Sequence, residues 1–172
     1  WEIALTYEPE FVLHLDGDEF LSPNYVEMLL DEITILHPNS DVFEFQALYI
    51  WDKFNQYRYD GIYSRSWAKK LLRIKNQPKK LSFIDNSLHS TVLPSNSIGT
   101  ENSIRTNIKL YHYGYFDESL RKKKYAFYQK QDSGNKEFDN YQHLISDKGK
   151  LSGDHGIILK EFPEGMFYDD LK

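Results

Sequence analysis

Residues 11–20 read FVLHLDGDEF, an apolar run that stops abruptly at two aspartates, a glycine between them and a glutamate. A run of that kind suits a buried strand over residues 11–15 whose carboxyl end presents Asp16, Gly17 and Asp18. In open α/β sheets, ligands are bound at that end of the strands. Two carboxylates at alternate positions offer the oxygens a hard divalent ion prefers, and the intervening glycine lets a ligand approach the backbone. An ion held there would offset the charge developing on a leaving diphosphate.

Three other readings of the stretch are open. Asp16, Asp18, Ser22, Asn24 and Glu27 fall at positions one, three, seven, nine and twelve of an EF-hand loop, but Phe20 and Leu21 stand where a ligand and the turn glycine are required. A strand-end aspartate could act as a phosphoryl-transfer nucleophile, although the continuation such a residue needs is not evident. A plain solvated strand-to-helix turn needs no ligand at all.

Working outward, Ser22 can cap and Pro23 can open a helix over 23–36, with Val26, Leu29, Leu30, Ile33 and Leu36 at helical spacing. His37-Pro38-Asn39-Ser40 breaks it, and 42–51 reads as a long strand that continues into a hairpin. Asp60-Gly61 is a turn dipeptide, and 70–74 is a short strand or helix end with basic flanks. Residues 94–103 are turn-rich and predict a flexible loop that could serve as a lid. A strand over 108–113 ends at Gly114, and 119–131 predicts a basic helix. The class is α/β in one domain, with 1–131 as its main part and 132–172 as a polar extension of the same domain, carrying one apolar run at 156–159. No internal repeat is present.

The net charge of −5 excludes a chain whose main partner is a nucleic-acid backbone, since such affinity comes from clustered Lys and Arg. Positive charge is local, at 67–75, 79–80 and 121–124. With no cysteine there is neither a disulfide framework nor a thiolate metal site. No apolar run reaches the roughly 20 residues that span a bilayer, so the expectation is a soluble cytoplasmic protein with at most peripheral membrane contact. Aromatic residues reach 16%, enough to build a core or to stack on sugars.

A single carboxylate motif leaves metal positions open, which draws attention to the histidines. His112, in LYHYGY (110–115), ends a strand beside a glycine, and neutral imidazole suits an ion such as Mn²⁺. The same residue could equally be a packed, hydrogen-bonded histidine. His89, in SLHSTV (87–92), is either a sugar contact, part of an acid–base pair or a turn residue.

In order along the chain, FVLHLDGDEF (11–20), KLLRI (70–74), LHSTV (88–92) and YHYGY (111–115) followed by KKKY (122–125) resemble the family 2 glycosyltransferases, in particular their bacterial branch. The resemblance spans about the first 130 residues and implies the acceptor-side part of a GT-A (Rossmann-like) domain with a mixed β-sheet flanked by helices. It implies transfer of a sugar from a nucleotide donor, a UDP-sugar, to a hydroxyl of a saccharide, lipid-linked or protein acceptor, with inversion and with Mn²⁺ or Mg²⁺ as cofactor. Asp16 would lie near ribose and metal, Asp18 would ligate the metal, and His112 would complete that site. Arg73 and Lys122 to Lys124 would meet phosphate or steady the loops around it.

The family's Leu-His segment is often followed by Glu, where this chain has Ser90, so the general base falls to Asp85 with Glu19 behind it, and His89 becomes a base or acceptor contact. The family's nucleotide-holding strands should precede Asp16 by far more than 15 residues, so the chain reads as a piece of a longer enzyme, inactive alone if that half is absent. The rival expectation is a non-catalytic carbohydrate-binding or interaction module in which Trp51, Tyr57, Tyr59, Tyr63 and Trp67 stack on sugars.

Overall fold

A computed structural model describes residues 1–21, 24–84, 92–132, 134–136, 139–146, 151 and 155–162. The elements are α1 (Glu2–Leu5), β1 (Phe11–Leu13), β2 (Glu19–Leu21), α2 (Asn24–Asp31), β3 (Val42–Trp51), β4 (Lys53–Arg58), β5 (Trp67–Arg73), β6 (Ile104–His112), α3 (Glu118–Gln131) and β7 (Leu159–Glu161). The class is mixed α/β, as the sequence predicts, with few helices. Two compact units interleave along the chain: 1–16, 23–46 and 67–108 form the first, and 17–22, 47–66 and 109–172 the second.

In the first unit β1 runs antiparallel to β5, with Val12 opposite Leu72, and β5 runs antiparallel to the first half of β3. Val42, Phe43, Phe45, Leu71 and Leu72 are buried there, joined by Ile33, Leu93 and Ile108. Burial of each such side chain contributes about 1.5–3 kcal/mol. Phe43 pairs with Leu71 but Glu44 pairs with Lys69, so Lys70 is an extra residue in β5. Such a bulge bends the strand and re-aims a side chain.

The helix expected over 23–36 begins, as described, at Asn24, while Ser22 and Pro23 lie outside the described residues. Its last turn, Glu32–Leu36, widens to π geometry, and the His37 N–H donates to the Glu32 carbonyl at 3.0 Å. Glu32 is buried, and its carboxylate accepts the Asn107 N–H at 3.1 and 3.2 Å, which gives that widened turn a fixed partner. The loop 94–103 is fastened rather than lid-like. Ser95 N–H donates to Ser82 O, Ile98 N–H to Gln77 Oε1, and Lys69 Nζ to Thr100 O.

In the second unit β2 pairs antiparallel with β6, β4 with the end of β3, and β7 with β4. Here β3 and β6 run in the same sense: the Tyr49 ring meets His112, and three residues on, the Asp52 N–H donates to Phe116 O. β2 is a departure from the expected strand-to-helix turn. Phe20 and Leu21 pair with Tyr111 and Leu110, and a chain extended there cannot wrap into the EF-hand loop.

The core of this unit holds a charged pair. Arg58 and Asp60 have fully buried side chains and share two hydrogen bonds of 2.8 Å, while Arg58 Nη1 also donates to His143 O. The guanidinium lies 4.7 Å from the Trp51 ring centre and 4.3 Å from that of Tyr63. Trp51 and Tyr63 are therefore core residues, at 3% and 2% exposure, and cannot stack on a sugar as the module reading requires. The loss arises because both rings are needed to cover a buried cation. Among the described residues no helix is long and apolar enough to cross a membrane.

Candidate functional site

Each aspartate of the Asp16-Gly17-Asp18 segment is met by one lysine and one histidine. In the first unit, Lys70 Nζ donates to Asp16 Oδ2 at 2.9 Å, and His14 Nε2 lies 3.4 Å from Asp16 Oδ1. The His14 N–H donates to Lys70 O at 2.8 Å, so the β1–β5 ladder runs one residue past β1 and brings these side chains to the strand end. Lys70 is the bulged residue, and its side chain is 3% exposed while that of Asp16 is 50% exposed. Burial alone would raise the Asp16 pKa; the hydrogen bond and charge of Lys70, with His14, outweigh it and hold the carboxyl below its ordinary value.

The second group lies wholly in the other unit. Lys124 Nζ is 3.0 Å from Asp18 Oδ2, and His112 Nε2 is 3.7 Å from Asp18 Oδ1. Partial burial pushes the Asp18 pKa up, but the electrostatic pull of His112 and of Lys124, with the hydrogen bond from Lys124, brings it below its ordinary value. Backbone fixes the aspartate, because the Tyr113 N–H donates to Asp18 O at 2.8 Å. The imidazole packs between two rings, 4.9 Å from Tyr49 and 4.9 Å from Tyr115, and its Nδ1 accepts the Gly114 N–H at 3.2 Å. Lys124 sits over the Tyr115 ring at 4.9 Å.

Gly114 is the reason these groups can meet. A Cβ at this position would overlap Asp18 Oδ2 and Lys124 Nζ and lie 2.6 Å from His112 Cε1. Lys124 itself is delivered by α3, whose first turn is capped by Asp117: the carboxylate accepts the Ser119 and Leu120 N–H groups.

Of the residues singled out from sequence, Asp18 and His112 converge, and Glu19 stands opposite His112 in the β2–β6 register. Arg73 belongs to the first unit, where its guanidinium covers the Phe11 ring and donates to Ser40 O, Ile33 O and Glu10. These three bonds tie Arg73 to the segments around β5, the loop-steadying alternative of its expected role. Asp85 and His89 lie outside the described residues. Lys70, as the partner of Asp16, and Gly114 were not singled out; a lysine inside an apolar strand and a glycine straight after His-Tyr are the signals that point to them.

The donor set does not fit the divalent ion that the resemblance implies. An Nδ1 that accepts an N–H leaves the neutral ring protonated at Nε2, so His112 turns a donor rather than a lone pair toward Asp18. The other oxygen of Asp18 already carries an ammonium. No cluster of three or more His, Asp or Glu side chains suited to a metal occurs among the described residues. Compared with known protein families, curated proteins and solved structures, the chain matches none.

Proposed function

We propose that the chain is the acceptor-side part of a GT-A type glycosyltransferase that moves a sugar from a nucleotide donor to an acceptor hydroxyl. The observation that carries this reading is the approach of His112 and Lys124 to Asp18, three positions drawn from two distant segments that the resemblance had marked. Supporting it are the mixed sheet and the strand that ends just before the acidic segment.

In the reaction, the acceptor oxygen forms a bond to the anomeric carbon as the bond from that carbon to the diphosphate oxygen breaks. The hydroxyl proton passes to a base and the nucleoside diphosphate leaves with the electron pair. Asp18 holds the Lys124 ammonium, and the His112 N–H faces the same carboxylate, so this corner offers cationic and donor groups to an anion. Glu19, the cross-strand neighbour of His112, is the carboxylate we place as base within the described residues. No step is routed through a metal, since the donor set does not fit one.

The test is a thermal-shift series with UDP-sugars and GDP-sugars, each with and without Mn²⁺. Stabilisation of the full-length protein by at least one nucleotide sugar, absent in Asp18→Ala, is expected; no shift of the full-length protein with any of them would set the reading aside.

A further inference from the structure

We propose that the Lys124 ammonium, and not a divalent ion, is the resident positive charge of the Asp18 corner, and that it contacts the diphosphate of the donor directly. The inference rests on the transferase reading for the identity of the anion. Its grounds lie in how the corner is built. Both oxygens of Asp18 face nitrogen donors, with Lys124 Nζ at 3.0 Å and His112 Nε2 at 3.7 Å.

An exposed ion pair contributes only about 0–1 kcal/mol and would not by itself fix a lysine in place. Here the fixing comes from the surroundings. The absence of a Cβ at Gly114 opens the space in which Asp18 Oδ2, Lys124 Nζ and His112 Cε1 crowd together, and the Tyr115 ring supports the ammonium from one side. For a divalent ion to enter, Lys124 would have to leave and His112 would have to give up the Gly114 N–H and change tautomer.

An ammonium carries three N–H donors. Asp18 takes one, the Tyr115 ring covers another side, and the Lys124 side chain remains 33% exposed. That open side can give a hydrogen bond to a phosphate oxygen without displacing Asp18. Asp18 is then a positioning residue that holds the lysine ready.

Two measurements on the full-length protein, with any upstream nucleotide-holding half included, test this. In Mn²⁺ titrations followed by the electron-spin resonance of the free ion, wild type should bind no more tightly than Asp18→Asn, whereas Lys124→Met should gain a site at least about tenfold tighter, worth ~1.4 kcal/mol. With UDP as probe in EDTA, binding by calorimetry should persist in wild type, weaken at least about tenfold in Lys124→Met and return in Lys124→Arg. Wild type binding Mn²⁺ through Asp18, or binding UDP only when Mn²⁺ is added, would overturn the inference while leaving the transferase reading intact. UDP bound under neither condition would overturn both. Lys124→Arg keeps the charge, so its recovery separates lost charge from a damaged fold.

Discussion

Lys124 Nζ and Asp18 Oδ2 lie 3.0 Å apart although 106 residues separate them in the chain. The contact ties a helix that begins after β6 to the loop before β2, and it depends on Gly114 standing between them without a side chain.

Gly114→Ala should therefore do more than a usual surface change. The added methyl meets three polar or ring atoms at less than van der Waals distance. An overpacking cost of about 1–3 kcal/mol is expected, and at roughly 2–4 °C per kcal/mol for a chain of this size a calorimetric melt resolves it. An unchanged melting temperature would show that the corner is looser than drawn.

Removing one partner of the Arg58–Asp60 pair should be severe. Both side chains are fully buried, so Asp60→Ala leaves a guanidinium without its counter-charge. The expected loss is about 3–5 kcal/mol, read as a lower urea midpoint. Arg58→Met combined with Asp60→Ala should recover part of it, because no charge is then left buried.

Acid should unfold the chain in part through Asp16 and Asp18. Both are held below their ordinary value when folded, so the unfolded chain takes up protons first as pH drops. Their contribution is complete above the unfolded carboxylate value of about 3.9 and is lost as pH falls through the lower folded values. Urea titrations across that window should show a shallower decline for an Asp16→Asn, Asp18→Asn double variant than for wild type.

Asp117→Ala removes the cap that accepts the Ser119 and Leu120 N–H groups. A lower helix stability is expected, with hydrogen exchange accelerated first in the opening turn of α3. Asp117→Asn should recover most of it.

The elements with a strong local signature were legible in the sequence. β3 and α3 lie close to where composition and periodicity place them, because burial on both faces of a strand and a capped basic helix both leave marks within a few residues. β2 was not legible. Three residues of strand after an acidic turn carry no period of their own, and Glu19 to Leu21 become extended only because β6 supplies the partner edge. The partners of Arg73 were not legible for a related reason: the carbonyls of Ser40 and Ile33 and the Phe11 ring that meet it come from other segments. The pairing of each motif aspartate with a lysine and a histidine was hidden likewise, since Lys70 lies 54 residues from Asp16.

The interleaving of the two units bears on how the chain acquires its structure. The backbone passes from one unit to the other at 16/17, 22/23, 46/47, 66/67 and 108/109, five crossings in all. No single cut releases either unit as a continuous polypeptide, so truncation mapping would destroy both together. Closing contacts such as Glu32 with Asn107 and Arg58 with His143 must await the synthesis of 75 and 85 further residues. A nascent chain leaving the ribosome would therefore hold β3 paired with β4 and β5 but without β6 until residues 104–112 are made, and refolding from denaturant should be slow for its size.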